Sequence, residues 1–178
     1  MKRASLIGLA VALMASLAGA VEIHIKGDHK VPTFFDLGTD LRTSGELAGL
    51  GNDTLVVELS ATGNPTATCQ NPGSDTHLPP GQNPAPVTVT GTETLTPDDI
   101  DKNGNASFAV EAVLPSTNVA GAPDCSNPNW TETITDIAFT SATVTMTQGS
   151  NALTCSCTFN PPTSDGLVPG QNVSCTCN

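Results

Sequence analysis

Two stretches near the C-terminus each carry a Cys-x-Cys motif within alternating sequence: Leu153-Thr-Cys-Ser-Cys-Thr-Phe159 and Val173-Ser-Cys-Thr-Cys177. Successive side chains of a β-strand point to opposite faces, so both cysteines of each motif share one face. If the two strands pair antiparallel, Cys155 lies opposite Cys177 when Cys157 lies opposite Cys175. Directly opposed Cβ atoms are about 4.5–5.5 Å apart, close to the roughly 3.5–4.5 Å of a disulfide. The pattern predicts a hairpin clamped by two cross-strand disulfides.

The other two cysteines are Cys69 and Cys125. Six cysteines allow about 15 pairings, and the strand geometry leaves Cys69–Cys125 by elimination. The alternative is a zinc or copper(I) site made of the four Cys-x-Cys thiolates. Disulfides are the favoured interpretation, because thiols pair in the oxidising compartments that exported proteins enter.

The N-terminus supports export. Lys2 and Arg3 precede the apolar stretch 6–17, and Ala18-Gly-Ala20 supplies the small residues of a signal-peptidase site. The stretch is shorter than the roughly 20 residues that a membrane span needs, and no later segment is long and apolar enough. We therefore expect a cleaved signal peptide at 1–20 and one domain at 21–178, secreted or at the cell surface, without a membrane span.

The charge balance argues against one class of partner. The signal peptide removes two of the six basic residues and none of the 17 acidic ones, so the mature charge is 4 − 17 = −13 with neutral histidines. A surface this acidic repels phosphate backbones, and nucleic acid is not an expected partner.

The alternation extends through most of the mature chain, with turn-forming Gly, Pro and Asn between the runs. About eight short strands separated by turns indicate an all-β, disulfide-stapled β-sandwich, immunoglobulin-like or of a related Greek-key topology. The runs are 21–26, 55–61, 87–89, 108–114, 134–147 (one or two strands), 153–159 and 173–177.

One segment matches the opening of an EF-hand calcium loop, through Asp99, Asp101, Asn103 and Asn105 around Gly104. The twelfth position should be a bidentate Glu but is Val110, and a strand pattern replaces the exiting helix. The favoured alternative is an Asn-Gly hairpin turn with solvated carboxylates. Calcium at this segment is the one cofactor that the sequence suggests.

The sequence also contains candidate glycosylation sites but little that points to catalysis. N-x-[ST] sequons, which can accept a glycan in an exported chain, occur at Asn52, Asn105, Asn129 and Asn172. Nucleophilic catalysis has little support, because no G-x-S-x-G elbow is present and no cysteine is left over. His24, His29 and His77 lie in polar surroundings. We do not expect an enzyme.

Several stretches resemble, together, small secreted proteins of microbes that are usually left uncharacterised. The resemblance covers roughly 41–178 and implies export and a β-sandwich, but no activity and no catalytic residues. The stretches are Leu47-Ala-Gly-Leu-Gly-Asn52, Ala67-Thr-Cys-Gln-Asn-Pro-Gly73, Pro80-Gly-Gln-Asn-Pro84, Lys102-Asn-Gly-Asn105, Asn127-Pro-Asn-Trp-Thr131, Thr135-Asp-Ile-Ala-Phe-Thr-Ser-Ala142 and Phe159-Asn-Pro-Pro-Thr163.

Three functions follow as hypotheses. The first is a non-catalytic structural or surface-associated protein, capable of self-assembly, whose strand 21–26 either joins a neighbouring subunit or, the favoured reading, is an edge strand of its own sandwich. The second is an extracellular binding module or inhibitor that uses the Pro- and Gly-rich loop 69–86, tied down by Cys69. The third is a secreted hydrolase with an unrecognised site.

Overall fold

The alternating runs form strands of two antiparallel sheets. The computed structural model describes residues 22–27, 30–73 and 84–178, so the expected signal peptide and the middle of the 69–86 loop lie outside the described residues. The strands there are β1 (His24–Ile25), β2 (Thr33–Asp36), β3 (Leu41–Ala48), β4 (Leu55–Gln70), β5 (Val87–Leu95), β6 (Ala106–Ala112), β7 (Asn118–Val119), β8 (Thr131–Gln148), β9 (Asn151–Phe159), β10 (Gly166–Leu167) and β11 (Val173–Cys177).

The first sheet is built around β3. Strand β6 pairs with one edge of β3, while β2 and β1 pair in succession along the other edge, and β10 pairs with β2. The second sheet has the order β11-β9-β8-β4-β5, with β7 beside the start of β8. The connections β3–β4 and β5–β6 cross between the sheets and bring β6 back beside β3, which is a Greek-key type of connection.

These sheets confirm the expected all-β sandwich with three disulfides. Eight of the strands in the described ranges have four or more residues. The individual strands differ from the prediction, however. Strands β2 and β3 were not anticipated, because Thr43 and Gly45 interrupt the apolar alternation of β3. The N-terminal strand covers His24–Ile25 alone and pairs with β3 of its own sheet.

Of the one or two strands expected over 134–147, the structure has one, β8, which is longer than the predicted run. Its register with β4 shifts twice, which leaves Thr135 and Thr140 as extra residues on β8. Each of these hydroxyls donates to a β4 carbonyl at the bulge, Thr135 to Thr66 at 3.2 Å and Thr140 to Thr62 at 3.1 Å. Because side chains alternate with period two, each extra residue changes whether the even- or the odd-numbered residues of β8 face the core.

The core lies between the inner faces of the two sheets. Leu55, Val57 and Leu59 of β4, predicted to share a face, are all buried, as is Val144 on the neighbouring β8. Across the sheets, Phe34 of β2 and Phe159 of β9 meet edge to face, with ring centroids 5.1 Å apart. Burial of this apolar surface is the main favourable term in folding.

Strands β5 and β6 meet where the edges of the two sheets approach each other. The Val113 N–H donates to the Thr90 carbonyl at 3.2 Å, and the Ala109 N–H donates to a Glu93 carboxylate oxygen at 2.7 Å. Because these strands belong to different sheets, the Asn103-Gly104 turn is not the hairpin turn that the sequence favoured; it lies on the crossover from β5 to β6.

The close approach of β5 and β6 requires a glycine at position 91. A Cβ there would lie 1.8 Å from the Glu111 carbonyl oxygen, so Gly91→Ala must push the strands apart. We expect this substitution to lower the free energy of unfolding by about 2 kcal/mol or more and Tm by about 4–8 °C. The matched control is Gly170→Ala, where a Cβ meets no atom within 4 Å. Equal thermal unfolding of the two variants would contradict this account.

Candidate functional site

The cysteines join in the predicted pairing. Cys155–Cys177 and Cys157–Cys175 cross between β9 and β11 with Cα–Cα distances of 4.1 Å each, and Cys69–Cys125 has a Cα–Cα distance of 5.7 Å. The register of β9 with β11 places both Cys-x-Cys pairs directly opposite each other. No cysteine is free, so every thiol is used to hold the fold.

The carboxylates of the EF-hand-like segment serve its own turns. Asp101 Oδ1 accepts hydrogen bonds from the backbone N–H groups of Asn103 and Asn105, at 2.8 and 2.9 Å, and the Asn105 side-chain amide contacts both oxygens. Asp99 Oδ2 accepts from the backbone and hydroxyl of Thr96 at 2.8 Å. Bonds from Asn105 lower the pKa of Asp101, and bonds from Thr96 lower that of Asp99. Calcium at this segment would have to displace these hydrogen bonds.

The sequons differ in exposure. Asn52 and Asn129 are exposed in loops, whereas Asn172 is half-buried at the end of a short 3-10 turn. The Asn105 side-chain amide is held by Asp101. Glycosylation at the four positions remains a prediction, and the geometry favours Asn52 and Asn129 as acceptors.

Three aspartates from distant parts of the chain meet at one end of the sandwich. Asp36 ends β2, Asp136 follows the bulged Thr135 of β8, and Asp165 precedes β10. One carboxylate oxygen of each lies within 4.8 Å of the others. Asp36 is buried, Asp136 is half-buried and Asp165 is exposed, so the cluster runs from the protein interior to the solvent.

Backbone hydrogen bonds fix the segments that carry these carboxylates. The Gly38 N–H donates to Asp36 Oδ1 at 2.9 Å, while the Gly38 carbonyl accepts from the Ile137 N–H at 3.0 Å. Thr163 and Phe139 exchange two bonds of 2.9 Å each, from the Thr163 N–H to the Phe139 carbonyl and from the Phe139 N–H to the Thr163 hydroxyl oxygen. The turn after β2 and the loop before Asp165 are thereby held against β8.

The carboxyl of Asp36 sits in an unusual environment. The side chain is 1% exposed, and no donor among the described residues has hydrogen-bond geometry to its Oδ2. Desolvation by burial raises the pKa of Asp36, the Thr163 hydroxyl and the Gly38 N–H oppose this, and the charges of Asp136 and Asp165 raise it further. An isolated buried carboxylate is costly, so the site favours a proton or a cation beside Asp36.

Sequence reasoning missed this cluster. Its members are single aspartates in three unrelated stretches, and no spacing motif links them. One weak signal was present: Asp36 closes the run Thr33-Phe-Phe-Asp36 on the same side as Phe34, which implies a buried carboxylate. Its partners could not be found without the tertiary structure.

A second feature is the outer edge of β11. Asn178 and Thr154 face each other and exchange two backbone hydrogen bonds. In an antiparallel pair every second residue bonds to the partner strand in this way, so the backbone groups of the even-numbered residues of β11 bond to β9. The backbone groups of the odd-numbered residues therefore point away from β9. Within the described ranges, no hydrogen-bond partner is present for the Val173 carbonyl or for the N–H and C=O groups of Cys175 and Cys177. The Val173 N–H donates to the Gly170 carbonyl.

A groove of about 760 Å³ adjoins this edge and opens between the two sheets. On the side of the first sheet, the groove is lined by the chain around β1, including the buried Ile23 and Ile25. On the side of the second sheet, it is lined by the start of β9 and by Cys175 and Cys177. Of the loop 69–86 that the sequence offered as a binding loop, Cys69 and Gln70 are the last residues of β4, and 74–83 lie outside the described residues.

No family model, no curated protein and no solved structure matches this chain. Among the described residues, no helix is long and apolar enough to cross a membrane.

The Asp36 environment predicts an unusual pH dependence. A carboxyl whose pKa is raised on folding contributes stability below the unfolded value, near the 3.8 of a free Asp side chain, and loses it as pH rises through the folded value. In EDTA at pH 7, Asp36→Asn should therefore raise Tm by about 2–4 °C, the effect of about 1 kcal/mol from relieving a buried unsatisfied charge.

The thermal unfolding of both proteins from pH 3 to 8 tests this. The difference between Asp36→Asn and the wild type should vanish near pH 3, where both side chains are neutral. Asp124→Asn, a half-buried aspartate outside the cluster, is the control. An Asp36→Asn variant that is less stable than the wild type at pH 7 in EDTA would contradict the prediction.

Proposed function

We propose that the protein is a secreted, non-catalytic structural or surface-associated protein that associates with a second copy of itself through the β11 edge. The observation that carries the proposal is the outer edge of β11, where the Val173 carbonyl and the N–H and C=O groups of Cys175 and Cys177 have no partner among the described residues. Unpaired groups at a sheet edge are a template for another strand, and proteins that remain monomeric usually block such edges with charges, Pro or bulges. Strand β11 contains none of these.

Charge supports a second copy as the partner. The chain carries 17 acidic and six basic residues, so two copies repel each other over most of their surfaces. The β9–β11 hairpin is different: its outward-facing residues are Ala152, Thr154, Ser156, Thr158, Ser174 and Thr176. Two copies can meet at this edge without opposing like charges.

The spacing of the free groups suits an antiparallel pairing about a two-fold axis. With Cys175 opposite Cys175 of the second copy, the N–H and C=O groups of the two residues bond each other. Each Cys177 N–H then reaches the Val173 carbonyl of the other copy. Such an interface uses the same surface on both subunits and extends the second sheet through both of them.

The disulfides support the proposal in two ways. They hold β11 against β9 in a fixed register, so the edge is rigid before association and less entropy is lost on binding. They also consume all six cysteines, which leaves no thiol nucleophile. His24 is exposed, and its Nδ1 contacts the Glu22 carbonyl at 3.0 Å rather than a hydroxyl or carboxylate.

Light scattering after size-exclusion chromatography tests the association. The five-residue edge is short, and small interfaces bind weakly, so we expect a monomer–dimer equilibrium at protein concentrations of about 0.1–1 mM. Ser174→Lys with Thr176→Lys should shift the protein to the monomer, because the two-fold pairing places these lysines opposite each other.

The matched control is Thr92→Lys with Thr94→Lys, which adds the same two charges at exposed residues of β5, the other outer strand of the second sheet. This variant should dimerise as the wild type does. A wild-type protein that is monomeric at about 1 mM, or a Ser174→Lys/Thr176→Lys variant that dimerises unchanged, would overturn the proposal.

A further inference from the structure

We propose that Asp36, Asp136 and Asp165 form a calcium-binding site that ties the two sheets together at one end of the sandwich. The inference is independent of the association through β11, because the aspartates lie on β2, on β8 and in the loop before β10.

The distances suit a single ion. Calcium binds oxygen ligands at about 2.3–2.6 Å, so two oxygens on the same ion lie at most about 5.2 Å apart. One carboxylate oxygen from each aspartate lies within 4.8 Å of the other two, which is inside that limit. Three oxygens spaced equally around one calcium ion lie at most about 4.5 Å apart, so small side-chain rotations would bring all three carboxylates onto a single ion.

The charges also call for a cation. Within the described ranges one salt bridge is present, between Lys26 and Glu46, and no basic side chain pairs with the three aspartates. The charged neighbours that act on Asp36 are Asp136 and Asp165 alone. Carboxylates at this spacing repel one another, and a divalent cation among them replaces that repulsion with attraction.

A second, independent observation comes from the buried end of the cluster. Asp36 is almost fully buried; the Gly38 N–H donates to Oδ1 and the Thr163 hydroxyl lowers the pKa of the carboxyl, but within the described ranges no donor has hydrogen-bond geometry to Oδ2. Buried polar atoms without a partner are rare in folded proteins and are a mark of a missing ion or ligand. An ion bound by Oδ2 together with Asp136 and Asp165 would satisfy this oxygen.

The donor set selects the type of metal. All three side chains offer carboxylate oxygens, whereas zinc and copper sites in proteins use His or Cys nitrogen and sulfur. Magnesium demands a near-ideal octahedron and keeps much of its water. Calcium accepts six to eight oxygens in irregular arrangements, and the exposed side at Asp165 leaves room for waters to complete the shell.

Calcium binding should stabilise the fold, because the ligands come from both sheets. Asp36 belongs to the first sheet and Asp136 to the second, so an ion bound to both adds a cross-link between the sheets. Because the ion binds the folded state and not the unfolded chain, it raises Tm. With a dissociation constant of about 0.1 mM, typical of extracellular calcium modules, about 10 mM CaCl2 should raise Tm by about 5–10 °C relative to EDTA.

The test compares thermal unfolding in EDTA, in CaCl2 and in MgCl2, together with isothermal titration of CaCl2. The wild type should bind one calcium ion per chain and be stabilised more by calcium than by magnesium. Asp165→Asn, at an exposed position that leaves the core unchanged, should lose most of the calcium shift. Asp36→Asn should lose it as well.

The control is Asp101→Asn, which alters the EF-hand-like segment and should retain the full calcium shift. Three outcomes would overturn the proposal. One is a wild-type Tm that does not respond to CaCl2, which would mean that Asp36 holds a proton instead. The second is a full calcium shift in Asp165→Asn. The third is loss of the shift in Asp101→Asn, which would place calcium at the segment from Asp99 to Asn105.

Discussion

The antiparallel pairing of β4 with β8 is the constraint on which the other elements depend. It runs from Leu55 opposite Gln148 to Gln70 opposite Thr131, and β5 and β9 pair along its two outer edges. Two bulged threonines, Thr135 and Thr140, allow it to stay continuous while the buried residues of β8 change between even- and odd-numbered positions. Because Asp136 lies between these bulges, the same pairing positions one ligand of the aspartate cluster.

The disulfides act on the other side of this pairing. Cys155–Cys177 and Cys157–Cys175 fix β11 on β9 at the outer margin of the second sheet. A strand held in this way cannot slip in register, and its outer backbone groups face the groove beside β1. The clamp that stabilises the hairpin therefore also presents a rigid, uncharged edge, and this links the cysteine pattern to the proposed association.

The aspartate cluster balances opposing physical effects. Burying Asp36 beside two other carboxylates costs free energy through desolvation and repulsion. The hydrogen bonds that hold Gly38 and Thr163 against β8 keep the three segments together in spite of that cost. A fold that brings three like charges together in this way gains stability from any cation that binds them.

The sequence by itself determined the features that arise from neighbouring residues. Period-two alternation predicted the all-β class and the buried face of Leu55, Val57 and Leu59, and the two Cys-x-Cys motifs predicted the disulfide register. It missed β2 and β3, whose apolar pattern is short or interrupted, and it misplaced the Asn103-Gly104 turn, because pairing partners are not encoded locally. Only the tertiary structure decided that Asp36, Asp136 and Asp165 meet and that β11 is an outer strand of the second sheet. Both depend on which distant strands pack together, since burial and backbone pairing are properties of the assembled sheets.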